Sequence, residues 1–143
     1  MSKSLRVVLN VSRFDAVVAF YRDLIGLPVV GGWDRGIADQ GALLEVAPGG
    51  VVEIVGHGAD FTAPNYVDLA IAIEFDRPEQ IDAMHQRLTV AGVSVSQPAR
   101  QTWGHYSTSV RDPVAVEVVL YADVDEVTLH EPQPRPPTST RFG

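Results

Sequence analysis

The feature that most constrains this chain is that its pattern of apolar residues runs through the same cycle twice. Leu5, Val7, Leu9 and Val11 alternate with Arg6, Val8 and Asn10, the period of a strand with one buried face. Ser12 can cap a following helix whose apolar positions Phe14, Val17, Val18, Tyr21, Leu24 and Ile25 recur at three- and four-residue steps. Gly26 is placed to end it. Over 27–56 three short strands are expected, separated by Gly31-Gly32, by 36–41 and by Pro48-Gly49-Gly50. The cycle then restarts. Leu69, Ile71, Ile73 and Phe75 alternate with Ala70, Ala72 and Glu74 as a second opening strand. Asp76 is the expected N-cap of a second helix with Pro78 and Glu79 in its first turn. Its apolar stripe is Ile81, Met84, Leu88 and Val90 or Ala91, and Gly92 stops it. Three further strands fit 93–96, 102–110 and 114–121, the last two turning at Arg111-Asp112-Pro113. An offset of about 65 residues superimposes the two βαβββ halves, which reads as an internal duplication.

The expected organisation is α+β: a first module over 4–56, a linker over 57–65 carrying Gly58 and Pro64, and a second module over 66–122. A tail over 123–143 follows, in which Glu131-Pro-Gln-Pro-Arg-Pro-Pro137 excludes a helix or a central strand. With 143 residues, 45% of them hydrophobic, the chain can bury a substantial core. Cysteine is absent, which removes disulfides, thiolate zinc sites and cysteine nucleophiles. A metal would need Asp, Glu or one of the four histidines, His57, His85, His105 and His130. No apolar run approaches the roughly 20 residues of a membrane helix, and the first residues lack a secretory pattern, so a cytoplasmic protein without membrane partners is expected. The net charge of -7 argues against a nucleic-acid partner and favours a neutral or cationic small ligand.

Two segments carry a resemblance. Val11-Ser-Arg-Phe-Asp-Ala-Val-Val-Ala-Phe-Tyr-Arg-Asp-Leu-Ile-Gly-Leu27 resembles the opening signature of the glyoxalase, bleomycin-resistance and extradiol-dioxygenase (vicinal oxygen chelate) superfamily. Trp103-Gly-His-Tyr-Ser-Thr-Ser-Val-Arg-Asp-Pro113 is similar to its closing signature, a Trp-Gly strand running into an Asp-Pro turn. The resemblance implies two tandem modules forming a cupped, eight-stranded mixed sheet with the helices on its outer face. It also implies a ligand held in the cup and, in the enzymes, a divalent metal. Relatives commonly dimerise, so a homodimer is expected.

Strand alternation then gives the cup-facing residues. They are Arg6, Val8 and Asn10; Val51, Glu53 and Val55; Ala70, Ala72 and Glu74; Ala115, Glu117, Val119 and Tyr121; and His105, Ser107 and Ser109. The family's metal positions, two on opening and two on closing strands, fall by resemblance on Arg6, Glu53, Ala70 and Val119. Only Glu53 has a donor atom, so no metal is expected. The alternative is a relocated divalent-metal site built from Glu53, Glu74, Glu117 and His105. Arg6 either pairs with Glu53 or an anionic ligand group, or reaches solvent at the sheet edge. Trp33 and Trp103 are candidate cleft walls, although Trp103 can equally be a packing residue. The expected ligand-binding set is Arg6, Asn10, Trp33, Glu53, Glu74, Trp103, His105 and Tyr121, and the candidate catalytic carboxylates are Glu53 and Glu117. His57 and His130 are expected to be exposed, without a role.

Two functions follow. One is a metal-independent binder of a drug or metabolite. The other is a lyase, isomerase or dioxygenase using a shifted metal site or a carboxylate that abstracts a proton next to a carbonyl. An interaction module without a pocket ligand is the third possibility.

Overall fold

The computed structural model describes residues 1–124. Its chain divides into two compact units, Met1–Asn65 and Tyr66–Gly143. The tail beyond Val124, with His130, lies outside the described residues. Each unit carries one four-stranded mixed sheet and one helix, an α+β arrangement in which every strand finds its partners within its own unit.

In the first unit, β1 (Leu5–Val11) lies parallel to β4 (Gly50–Gly56), which is antiparallel to β3 (Gln40–Ala47), which in turn pairs with β2 (Val29–Asp34). The alternation in the sequence becomes two faces. Leu9, Val11, Ala42, Leu44, Val52 and Ile54 are buried together with Val17, Val18, Phe20, Tyr21 and Ile25 of the helix. That helix, α1 (Phe14–Ala19), continues as a π-helical turn over Phe20–Ile25, so that Gly26 and Leu27 both donate to the Tyr21 carbonyl. Gly26 closes it with φ 90°, a left-handed conformation that glycine adopts without a Cβ penalty. The expected cap at Ser12 moves by one residue. Arg13 is the N-cap and its side chain makes no capping bond, so burial of the apolar stripe starts this helix without help from a side-chain cap.

In the second unit, β5 (Ala70–Glu74) is parallel to β8 (Glu117–Asp123), β8 is antiparallel to β7 (His105–Arg111), and β7 to β6 (Ala99–Arg100). The buried face holds Ile73, Thr108, Val110, Val118, Leu120 and Ala122, covered by Ile81, Met84 and Leu88 of α2 (Pro78–Val90). Arg77, not Asp76, is the N-cap, and its backbone N–H donates to Gln80 Oε1 at 2.9 Å. The strand expected over 93–96 is reduced to one bridge, Val95 to Val110. Ser96 replaces a ladder there. Its N–H donates to the Ser109 carbonyl, its Oγ accepts from the Ser109 N–H at 2.8 Å, and its carbonyl accepts from Thr108 Oγ1. Pro98 follows without an N–H, and the edge strand resumes for two residues only.

Candidate functional site

The ladders fix which side chains share the face of each sheet that the helix leaves open. In the first unit Arg6 pairs with Val51, Val8 with Glu53 and Asn10 with Val55. Across β3 and β2 the same face continues through Glu45, Leu43 and Gly41 to Trp33. In this unit the residues that share the open face are therefore those that the alternation groups together. Three local structures organise the face.

At one end, Arg6 donates from Nη1 to Glu53 Oε1 at 3.1 Å; the arginine side chain is 56% exposed and the glutamate only 13%. The pair sits beside Val8 and Val51. At the other end Trp33 lies on Gly41, where any Cβ would run into its ring. Its indole N–H donates to Asp39 Oδ1 at 2.9 Å, and the Arg35 guanidinium stands 5.8 Å from the ring centroid and bonds the second Asp39 oxygen. The indole N–H first, and then Arg35, hold the Asp39 carboxyl below the usual aspartate range. Beside them His57 Nε2 donates to Asn10 Oδ1 at 2.8 Å, and the imidazole stacks on Phe61 with centroids 4.2 Å apart. His57 is thus half-buried and bonded, not the exposed linker residue expected. The backbone causes this: the His57 N–H extends the β1–β4 ladder by bonding the Val11 carbonyl, which carries the ring back over the sheet.

In the second unit Ala70 pairs with Glu117, Ala72 with Val119 and Glu74 with Tyr121, while Ser109, Ser107 and His105 face Val119, Tyr121 and Asp123. Glu117 is buried, between Ala70 and Arg111 on the flanking strands, and Glu74 is exposed at the strand end. Trp103, His105 and Tyr121 come together. The Trp103 indole donates to His105 Nδ1 at 3.1 Å, which leaves the ring proton on Nε2 facing Asp123 Oδ1 at 3.2 Å, and the imidazole stacks on Tyr121 at 4.3 Å. Both nitrogens are committed, and a histidine so engaged offers no lone pair to a metal. Asp123, Asp39 and Phe61 were not expected at the site. Each meets a partner through the fold or a loop, and no spacing rule marks it.

The metal test is one of donor chemistry. Glu53 faces Val8 and Val119 faces Ala72, so these two closing-strand positions are equivalent in register. Glu117 faces Ala70 and corresponds to Val51, which faces Arg6; it has not slid into the ligand position. Arg6, Ala70 and Val119 offer no donor atom, and Glu53 is engaged by Arg6, so the residues at these positions do not fit a divalent ion. Among the described residues no three His, Asp or Glu side chains cluster in a way that would hold one.

Tandem βαβββ units with a helix on one face and the other face open define the class. The chain belongs to the Glyoxalase/Bleomycin resistance protein/Dioxygenase superfamily, whose family model matches residues 3–120. No curated protein sequence matches it. Among solved structures it is similar to a glyoxalase/bleomycin resistance protein/dioxygenase from Nocardioides (20% identity, 88% of this chain and 85% of that one, TM-score 0.65). It is also similar to lactoylglutathione lyase from Agrobacterium tumefaciens (20% identity, 85% and 94%, TM-score 0.64). A third is TnmS3, an antibiotic binding protein from Streptomyces sp. CB03234 (21% identity, 86% and 97%, TM-score 0.64). At these identities the likeness is one of fold. No helix among the described residues is long and apolar enough to cross a membrane.

Proposed function

We propose that this protein is a metal-independent binder of a small molecule, held on an open sheet face by apolar and aromatic contact. The observation that carries the reading is the donor chemistry just described: of the four side chains at the family's metal positions, three lack a donor atom and the fourth is tied to a guanidinium. Sequestration requires only complementary shape and polarity, which half-buried Val55, Leu43, Trp33, Trp103 and Tyr121 supply without any activated group. A binding role has a precedent in the fold, since the Streptomyces neighbour is described as an antibiotic binding protein. A cytoplasmic homodimer belongs to the same reading, and light scattering at micromolar concentration tests the dimer.

The deciding experiment measures bound metal in protein purified without chelator, then the melting temperature with EDTA and with Mg²⁺, Mn²⁺, Ni²⁺ or Zn²⁺. Substoichiometric metal and no shift are expected, while a panel of aromatic metabolites should include ligands that raise the melting temperature by mass action. One equivalent of metal, or stabilisation by several degrees with a single ion, overturns the reading.

A further inference from the structure

We infer that Arg6 forms an oxyanion subsite, so that the ligand carries a carboxylate or phosphate group although the protein as a whole is acidic. The inference rests on the binder reading and names the charge of its ligand. Among the described residues Arg6 commits one N–H, from Nη1, to Glu53 and makes no other side-chain bond, so that four of the five donors of its guanidinium are uncommitted there, on a side chain that is 56% exposed. Glu53, only 13% exposed, anchors the guanidinium to the open face from below. Beside it Val8, 46% exposed, and half-buried Val51, Leu43 and Val55 provide an apolar floor leading across the strands toward Trp33. An anionic head on Arg6 with an apolar or aryl body along that floor matches the guanidinium and the apolar strip together.

The opposing charges are Glu53 itself, already paired, and Glu45, which faces Val51 and lies two strands from Arg6. Two strand spacings are roughly 10 Å. A like charge at that range in water opposes binding only weakly, even before screening. Direct charge-assisted hydrogen bonds to a guanidinium are short and among the stronger polar contacts. The short contact therefore outweighs the distant carboxylate. Local donor geometry decides the sign of the ligand's charge, and the composition does not.

The test uses 2-naphthoate, 2-naphthyl phosphate, neutral 2-naphthamide and cationic 2-naphthylmethylammonium, with binding followed by calorimetry. In the unmodified protein one or both anions should bind roughly fivefold or more tighter than the amide, and whichever leads identifies the carboxylate or the phosphate as the preferred head. Arg6→Met should erase the preference, read as the ratio of anion to amide affinity within the variant, and Arg6→Met combined with Glu53→Gln, which leaves no carboxylate unpaired beside the ligand, should erase it as well. Arg6→Lys keeps the charge without the planar fork and should retain only part of the preference. Glu45→Gln should strengthen binding of the anions. Equal affinity for anion and amide, preference for the cation, or a preference that survives Arg6→Met overturns the inference and leaves the binder reading standing. If no probe binds, the binder reading fails and this inference falls with it.

Discussion

At the scale of single residues, the open face of the first unit is held by a few polar contacts, and the Asp39 pair with Trp33 is the one whose protonation can be read directly. The carboxyl is depressed below its ordinary value by the indole N–H and by Arg35, so its contribution is present above the unfolded aspartate value of about 3.9 and is lost as the pH falls through the folded one. In a Trp103→Phe background, Trp33 emission should stay constant from neutral pH down to about 4 and change only below it. Asp39→Asn, which keeps an acceptor oxygen but cannot titrate, should show no such change. A transition centred above the ordinary aspartate range would mean that Asp39 does not hold the indole. Tyr106 shows the opposite sign. Donation to Asp82 raises its phenol pKa, so that contribution is present below about pH 10 and disappears as the pH rises through the higher folded value. The bond is open to solvent, and screening keeps the effect small. Much of this was legible beforehand where parity decides: Arg6, Asn10 and Glu53 face the side that alternation assigns them. The bonds of His57 to Asn10 and of Asp123 to His105 were not, because each joins residues that only the folded sheet brings together.

At the scale of elements, the sequence marks stops better than starts. Gly26 and Gly92 both end helices with positive φ, as their placement predicts, whereas both N-caps fall one residue later than the polar side chains at Ser12 and Asp76. A glycine fills a backbone need that few residues meet, while a cap is one of several ways to satisfy a first turn. The β7–β8 turn shows the same logic in reverse. Asp112 Oδ1 accepts from the N–H groups of Val114 and Val116, and this tight turn forces Ala115 to φ 73°, the left-handed region where a Cβ is strained. Ala115→Gly should therefore stabilise the protein, by about 1 kcal/mol after the extra unfolded-state entropy of glycine is subtracted. Urea unfolding would register this as a higher midpoint at unchanged slope. A lower midpoint would show that the turn holds alanine without strain. The shortened β6 was hidden for a related reason. A run of Val-Ser-Val-Ser reads as a strand, but Ser96 spends its hydroxyl on the backbone of Ser109 and Pro98 cannot continue the ladder.

At the scale of the whole molecule, the duplication made the architecture readable, because two copies of one pattern corroborate each other where a single copy would be ambiguous. Ligand charge is the property that composition reads differently from the local site. The net charge of -7 favours a cation at long range, whereas Arg6 favours an anion at contact. These two contributions respond oppositely to salt. The Debye length shrinks from about 30 Å at 0.01 M to about 10 Å at 0.1 M, which screens the repulsion that the distant carboxylates exert on an anion. A hydrogen-bonded contact at 3 Å scale lies well inside either length and is screened far less. Affinity for 2-naphthoate should therefore rise about twofold between those ionic strengths, because only the unfavourable part is removed. For 2-naphthylmethylammonium it should fall by a similar factor. The added salt should carry an anion too bulky and weakly hydrated to compete for the guanidinium, and a second salt should give the same slope. If the anion's affinity falls with salt instead, long-range attraction is driving its binding, and the acidic surface cannot be the field that it meets.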